Sequence, residues 1–372
     1  MKKIKKILIL GVAPVQMDAI LILKSMGCIV YACAREDDGP GSECADYFKK
    51  LDFSDIDKLI KYIKDENFDC VLSVGSDSAM LISAEISELL NLPCFVLSFS
   101  AKSCNHKDEM RSYLGKDYEW NIKYQVLKDD DEIIMLDYPF IMKPSDSQGQ
   151  RGVKLVADKN CFMNEFQRTK SYSKSGNVML EEYLEGIEMS VNSYMVNGKV
   201  VFLVISDRVT WPQFDAGLIH KHVVPSKYLN NSLENDIYEL VKNTASRLNI
   251  KNGPIYFQIK LKNNKPKIIE VTPRLDGCHM WKVLSCLTGV NLLKLNFEHL
   301  LYGKTDELSN MKMQDKRYVM EFMCQQPGTP ADYSQFKISD TALYTYKYYK
   351  DGEIVKAVNG RYEKIGYYIA TE

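Results

Sequence analysis

The chain has 372 residues, and its 48 Lys and Arg against 49 Asp and Glu give a formal net charge of −1. Hydrophobic residues make up 45% and charged residues 26%, which is ordinary globular composition and argues against disorder. The near-zero charge removes any simple electrostatic case for a nucleic-acid or anionic membrane partner. The ten cysteines are scattered without a Cys-x-x-Cys pair, so we interpret them as reduced thiols of a cytoplasmic protein. The length predicts two or three domains.

The N-terminus carries several lysines followed by the apolar residues 7–10, a pattern that imitates a signal peptide. The apolar stretch soon meets Gln16, Asp18 and Lys24, and no small-residue cleavage site follows at the right distance. We therefore interpret it as a first buried strand. No run approaches about 18 uninterrupted apolar residues, so neither a transmembrane helix nor a membrane partner is expected.

Short apolar runs alternate with helical patterns over the first part of the chain. We predict helices at residues 14–26, 56–65 and 78–90, and strands at residues 7–10, 28–33, 70–74 and 94–97. Strands joined by helices of this length need crossover connections, which give a parallel α/β sheet with helices on both faces. Gly11 follows the first strand, but the other glycines of a dinucleotide fingerprint are missing, so NAD binding is not expected.

The pattern changes after residue 100. We predict helices at residues 106–114 and 233–248. The predicted strands lie at residues 139–144, 153–156, 178–180, 188–196, 200–205, 256–261 and 267–271, with aromatic tail strands at 317–323, 342–349 and 367–370. This order predicts an α+β domain with a largely antiparallel sheet that the tail completes.

A polar stretch with two glycines, residues 145–152, follows the strand that ends at Lys143 and Pro144. Such a loop exposes backbone N–H groups and can fold over a polyphosphate, with Lys143 as a point charge beneath it. A surface hairpin would show the same pattern.

An acidic segment, residues 181–188, joins one predicted strand to the next. A linker beside a nucleotide can offer backbone N–H and C=O groups to adenine, and a nearby carboxylate can accept hydrogen bonds from both ribose hydroxyls. The alternative interpretation is a solvated acidic turn.

Four polar residues lie on two neighbouring strands and just beyond them: Gln258, Glu270, Thr272 and Arg274. Alternation along a strand places Glu270, Thr272 and Arg274 on one face. Oxygen ligands on adjacent strands, with a guanidinium nearby, suit Mg²⁺ bound to phosphate oxygens. A surface cross-strand pair is equally compatible with these residues.

His220 and His222 alternate along a predicted strand and therefore share a face. No third metal ligand is visible nearby in the sequence, so a zinc site is not expected.

Together and in this order, these clusters resemble the ATP-grasp superfamily, in particular its carboxylate–amine ligases and the synthetase domains of the carbamoyl phosphate synthetase large subunit. The resemblance covers about residues 5–305 and includes the helix opening at 106–111 and the strand pair ending at 268–274. It implies an α/β plus α+β class: an ATP-grasp fold with an N-terminal parallel α/β (pre-ATP-grasp) domain at residues 1–103. Residues 104–183 would be the central nucleotide-clamping part with the phosphate loop. Residues 184–372 would be the α+β subdomain with the metal site and closing tail.

The resemblance further implies that ATP lies between two halves of the central region. The phosphates would be held by two lysines and by small residues of the loop: Lys107, Lys143, Ser147, Gly149 and Gly152. The adenosine would be held by Glu181, the backbone of Glu182 and Leu184, and Glu188 at the ribose.

The metal, Mg²⁺ or alternatively Mn²⁺, would be held by Gln258, Glu270 and Thr272, and Arg274 would steady the reacting acyl phosphate. The family most often has Glu or Asp in place of Gln258 and Asn in place of Thr272, so the sequence leaves open whether one or two metals bind. Residues expected to face the substrates are Arg208, for a carboxylate, Asp276, for an ammonium group, and His279.

The resemblance implies an ADP-forming ligase that activates a carboxylate, expected to be an amino acid, as an acyl phosphate and joins it to an amine. Two alternatives are a carbamoyl phosphate synthetase-like enzyme and a nucleotide-sensing module without turnover. The expected partners are small-molecule carboxylates and amines, and a homodimer is left open.

Overall fold

The computed structural model describes residues 4–147, 151–213, 218–357 and 362–372. Within these ranges the strands form a four-stranded parallel sheet, a four-stranded antiparallel sheet and an eight-stranded antiparallel sheet. The predicted class, a parallel α/β part followed by an α+β part, is confirmed. None of the helices in the described ranges has both the length and the apolar character needed to cross a bilayer.

The parallel sheet has the order β3-β2-β1-β4. Its strands are β1 (Lys6–Leu10), β2 (Ile29–Ala34), β3 (Tyr47–Lys50) and β4 (Cys70–Leu72). The helices of this part are α1 (Pro14–Ser25), α2 (Pro40–Cys44), α3 (Ile56–Glu66) and α4 (Asp77–Leu90). Successive residues of β1, from Ile7 to Leu10, are all fully buried, because helices cover both faces of the sheet.

Several elements of this part differ from the prediction, among them the short helix α2, which the sequence does not predict. The predicted strand at residues 94–97 is wrong: this segment is an irregular connection to helix α5 (Ser98–Asn105). Its apolar residue Phe95 packs on the His299 ring at 4.6 Å instead of entering a sheet. Strand β3 was not predicted, because it is an edge strand whose largely exposed residues carry no apolar alternation.

The second sheet, ordered β5-β8-β6-β7, is antiparallel throughout. Helix α6 (Lys107–Leu114) leads into it, and its strands are β5 (Tyr124–Leu127), β6 (Phe140–Pro144), β7 (Lys154–Val156) and β8 (Val178–Glu182). Helix α7 (Lys159–Lys170) packs Phe162 and Phe166 against one face, so the other face is left to line a cleft.

The third sheet is antiparallel and has the order β13-β12-β9-β10-β11-β14-β16-β15. Its strands are β9 (Glu188–Val196), β10 (Lys199–Thr210), β11 (Ile219–Val224), β12 (Gly253–Lys262), β13 (Lys265–Thr272), β14 (Tyr318–Gln325), β15 (Ala342–Lys347) and β16 (Glu363–Thr371). Its helices are α8 (Asn231–Arg247), α9 (Met280–Thr288) and α10 (Leu292–Tyr302), followed by a 3₁₀ turn at Asp306–Asn310. As predicted, the three tail strands extend this sheet.

Candidate active site

A cleft of about 560 Å³ separates the second sheet from the third. Strands β6 and β8 form one wall and β10, β12 and β13 the other, while the first residues of α4 and α6 reach in from the side. Most of the predicted site residues line this cleft: Lys107, Lys143, Ser147, Glu181, Glu182, Leu184, Glu188, Arg208, Gln258, Glu270, Arg274 and Asp276.

Lys143 and Glu181 form a buried ion pair on the wall made by the second sheet. Their strands pair with Ile141 opposite Glu181, so the two side chains are diagonal neighbours on one face. Lys143 Nζ lies 2.5 Å from one carboxylate oxygen of Glu181, and Arg111 Nε donates to the other at 2.9 Å. Arg111 also donates to the Ile268 carbonyl at 2.7 Å and thereby ties α6 to β13.

Burial and neighbouring charges act in opposite directions on both members of this pair. Burial lowers the pKa of Lys143 to about 8, against the opposing effect of Glu181. Burial alone would raise the pKa of Glu181, but the positive charges of Arg111 and Lys143 lower it. The wall therefore holds an ionised carboxylate paired with a lysine whose positive charge is made less favourable by burial.

The loop that begins after Pro144 is anchored through its described residues 145–147. Lys107 donates through its backbone N–H to Ser145 O and through Nζ to Ser147 O, both at 3.0 Å. Asp146 accepts hydrogen bonds from the backbone N–H groups of Lys174 and Ser175 at 3.0 and 2.8 Å. These bonds hold Lys107 and Ser147 at the cleft edge.

The two glycines predicted in this loop have different outcomes. Gly149 lies outside the described residues. Gly152 has a φ of +72°, and a Cβ there would lie 2.8 Å from Tyr172 and 2.9 Å from Pro144. Only glycine therefore fits this position, for reasons of backbone conformation and packing.

The linker after β8 lies along the cleft. The Glu182 carboxylate pairs with Lys262 and accepts from the Lys123 N–H at 3.0 Å, so this side chain is already occupied. The Leu184 carbonyl accepts from Lys260 Nζ at 3.1 Å. Glu188 pairs with Arg208 and accepts from Gln258 Nε2 at 2.6 Å.

The predicted metal ligands divide into two groups. Gln258 and Glu270 lie opposite each other in the β12–β13 register and both line the cleft. In the described part of the chain, the Glu270 carboxylate has no hydrogen-bond or ion-pair partner. Thr272 is instead buried, and its hydroxyl donates to Asp77 Oδ1 at 2.9 Å.

Arg274 is fixed by a residue of the parallel α/β part. Its Nε and Nη2 donate to the two carboxylate oxygens of Asp77 at 2.6 and 2.8 Å. Burial would raise the pKa of Asp77, and the charge of Arg274 lowers it. This bidentate pair orients the guanidinium at the cleft wall.

The three predicted substrate residues are not brought together. Arg208 and Asp276 line the far end of the cleft. His279 is 2% exposed, and its Nδ1 lies 2.8 Å from Asp18 Oδ2, with its ring stacked on Tyr367. The imidazole thus contacts α1 and β16. His279 directly precedes α9, and its backbone is in the left-handed conformation, with a φ of 56°.

Sequence reasoning missed Arg111, Asp77 and Asp146 as supporting residues. Arg111 lies in the predicted helix that opens at residues 106–111, but its partners Glu181 and Ile268 are remote in sequence. Asp77 carries a weak signal, since it begins a helix directly after the capping residue Ser76. Nothing local indicates that its carboxylate faces Arg274.

The comparison with family models matches residues 136–281 to an ATP-grasp domain. Alanine–anticapsin ligase of Bacillus subtilis (strain 168) is 25% identical over 239 residues, covering 58% of this chain and 46% of that protein. Phosphoribosylamine–glycine ligase of Methanococcus maripaludis is 22% identical over 368 residues, covering 88% of this chain and 79% of that protein. The chain spans about half the length of several curated relatives that it matches.

Among solved structures, the L-amino acid ligase from Bacillus licheniformis superposes with a TM-score of 0.82 at 18% identity. The alignment covers 100% of this chain and 94% of that one. The matched domain contains both walls of the cleft, and the likeness in fold extends over the whole chain. Residues 136–281 therefore match an ATP-grasp domain, which confirms the resemblance inferred from the sequence.

Proposed function

We propose that this protein is an ATP-dependent, ADP-forming ligase that activates a carboxylate, in particular that of an amino acid, and joins it to an amine. The observation that carries the proposal is the placement of Lys143 and Glu270 on opposite walls of one cleft. A buried cation on one wall and a carboxylate without a partner on the other suit a triphosphate and its metal.

The nucleotide would lie along the wall of the second sheet. Lys107 and Lys143 would contact phosphate oxygens, with Ser147 and the loop glycines Gly149 and Gly152 close to them. The segment from Glu181 to Leu184 would face the adenine and Glu188 the ribose. On binding, the phosphate charge would compensate the buried ammonium group of Lys143.

The donor set fits Mg²⁺ at one position. Glu270 offers a free carboxylate and Gln258 an amide oxygen, since the Gln258 amide nitrogen is the atom bonded to Glu188. Mg²⁺ at this position would neutralise phosphate charge. The Thr272 hydroxyl points its hydrogen at Asp77, so it fits a supporting role better than direct ligation.

The reaction would proceed in two displacements. A carboxylate oxygen attacks the γ-phosphorus, the bond to the β-phosphate oxygen breaks, and ADP leaves. The amine nitrogen then attacks the acyl carbon, phosphate leaves with the bonding electrons, and the nitrogen loses a proton. Arg274, held by Asp77, would stabilise the negative charge that develops on the acyl oxygens.

Two relatives support an amino acid as the carboxylate. One is named for joining alanine to anticapsin, and the other is named an L-amino acid ligase. In this chain, Arg208 lines the far end of the cleft, where its guanidinium, paired with Glu188, would face a substrate carboxylate.

The test is ADP and phosphate release from ATP and Mg²⁺ with mixtures of amino acids, with products identified by mass spectrometry. ADP formation that needs both a carboxylate and an amine supports the ligase. Turnover with bicarbonate alone would support the carbamoyl phosphate synthetase-like alternative. Tight ATP binding without turnover in any mixture would favour a nucleotide sensor.

A further inference from the structure

Three potential metal ligands converge behind the far end of the cleft, although they are distant in sequence. His222 comes from β11, and Asp276 and Cys278 come from the loop between β13 and α9. One imidazole nitrogen, one carboxylate oxygen and the thiol sulfur lie within 4.8 Å of one another. Asp276 and Cys278 also line the cleft.

Two of these groups have polar atoms without a partner. His222 is fully buried and Asp276 is 5% exposed. In the described part of the chain, His222 Nε2 and Asp276 Oδ2 make no hydrogen bond. Buried polar atoms are rarely left in this state, because the hydrogen bonds that they lose to water are not replaced. A ligand between them would compensate for this loss.

We propose that His222, Asp276 and Cys278 form a binding site for a zinc-like divalent cation. Nitrogen, oxygen and sulfur donors together favour Zn²⁺ or Co²⁺ over Mg²⁺, which prefers oxygen alone. Metal bonds of about 2.0–2.3 Å would bring donors that now lie within 4.8 Å to about 3.5 Å from one another. Three protein ligands leave a fourth position, which would open to the cleft.

The charges around the site are compatible with this cation. An ionised Asp276 and a Cys278 thiolate together balance the two positive charges of the metal. Lys364 Nζ lies 3.2 Å from the Cys278 sulfur and would donate to the thiolate. The nearby guanidinium of Arg208 is already paired with Glu188.

From the sequence alone no zinc site is expected, because His220 and His222 share a strand face without a third ligand nearby. In the structure His220 is not part of the cluster. Its Nε2 contacts Glu321 at 3.1 Å, and its ring stacks on Trp211 at 3.8 Å. The second and third ligands come from more than fifty residues downstream, which a local pattern does not reveal.

The test is titration of the full, metal-free chain with Co²⁺ alone. We expect one equivalent to bind with the near-ultraviolet absorption of a cobalt–thiolate bond. His222→Gln, Asp276→Asn and Cys278→Ser should each weaken Co²⁺ binding by at least about 100-fold, because each removes a ligand. The matched controls His220→Gln and Cys286→Ser should bind Co²⁺ like the parent chain.

A measurement on the unmutated chain tests the site even if the variants do not fold. X-ray absorption of the Zn²⁺-loaded protein should show one sulfur at about 2.3 Å and lighter ligands at about 2.0 Å. Absence of the sulfur, or a thiolate band that persists in Cys278→Ser, would overturn the site. ATP-analogue binding is measured separately without Co²⁺, so failure of this site leaves the proposed function untouched.

Discussion

At the residue scale, the account depends on how Lys143 is held. The side chain is 6% exposed and pairs with Glu181, which Arg111 also contacts. Burial makes the ammonium form costly, and this lowers the pKa of Lys143 to about 8. The protonation state of Lys143 therefore changes within the pH range in which nucleotide binding is measured.

We predict that binding of a non-hydrolysable ATP analogue weakens as the pH rises above 8. The charged lysine binds phosphate, and an empty site with a Lys143 pKa of about 8 loses that charge at higher pH. The affinity should fall by up to about tenfold per pH unit. Calorimetric titrations between pH 7 and 9.5 measure this, and in Lys143→Arg the slope should flatten because arginine stays charged.

We predict that Glu270→Gln lowers ATP turnover by at least about 100-fold while leaving the fold intact, because an amide is a much weaker Mg²⁺ ligand than a carboxylate. Turnover and the thermal unfolding midpoint are compared with those of Glu185→Gln. Glu185 is exposed on the linker after β8, so that control should behave like the parent chain. Near-parental activity of Glu270→Gln would show that the metal assignment is wrong.

At the element scale, buried polar contacts fix how the sheets meet. Arg111 on α6 is fully buried and bonds to Glu181 on β8, to the Asn121 side chain and to two carbonyls of β13. It therefore joins the second sheet to the third directly beneath the cleft. The Asp77–Arg274 pair likewise joins the parallel α/β part to the segment that follows β13.

We predict that Arg111→Met lowers the free energy of unfolding by about 3–5 kcal/mol, because it removes one of the two cations that pair with the buried Glu181 carboxylate and the donor to two carbonyls. Arg168→Met on the exposed face of α7 should change it by less than about 0.5 kcal/mol. Chemical denaturation of both variants measures the difference. Equal stability of the two would contradict the joining role of Arg111.

The sequence predicts most elements because their patterns are local. The alternation of strands and helices indicates the parallel sheet, and the aromatic tail runs indicate β14 to β16. The strand prediction at residues 94–97 is wrong because the apolar side chain of Phe95 packs on His299 and does not belong to a sheet. His279 likewise has a partner, Asp18, that is remote in sequence and that no local pattern indicates. Contacts between distant elements have no signature in a single chain.

At the scale of the whole molecule, the cleft is built from both antiparallel sheets and closed by Asp77 from the parallel α/β part. A ligand that contacts all of these should stabilise the chain as a unit. The division at residues 103 and 183 stays a prediction.

We predict that Mg²⁺ with an ATP analogue at 100 times its dissociation constant stabilises the fold by about 2.7 kcal/mol, as expected for a ligand that binds only the folded state. Thermal unfolding with and without the analogue measures this. The same concentration should give a smaller shift in Lys143→Gln, which binds more weakly. An unchanged shift in that variant would place the nucleotide outside the cleft.

The most direct measurement is a crystal structure with Mg²⁺ and a non-hydrolysable ATP analogue. The account predicts the triphosphate between Lys143 and Glu270, the metal on Glu270, and the adenine beside residues 182–184. A nucleotide bound elsewhere, with both side chains facing only solvent, would contradict it.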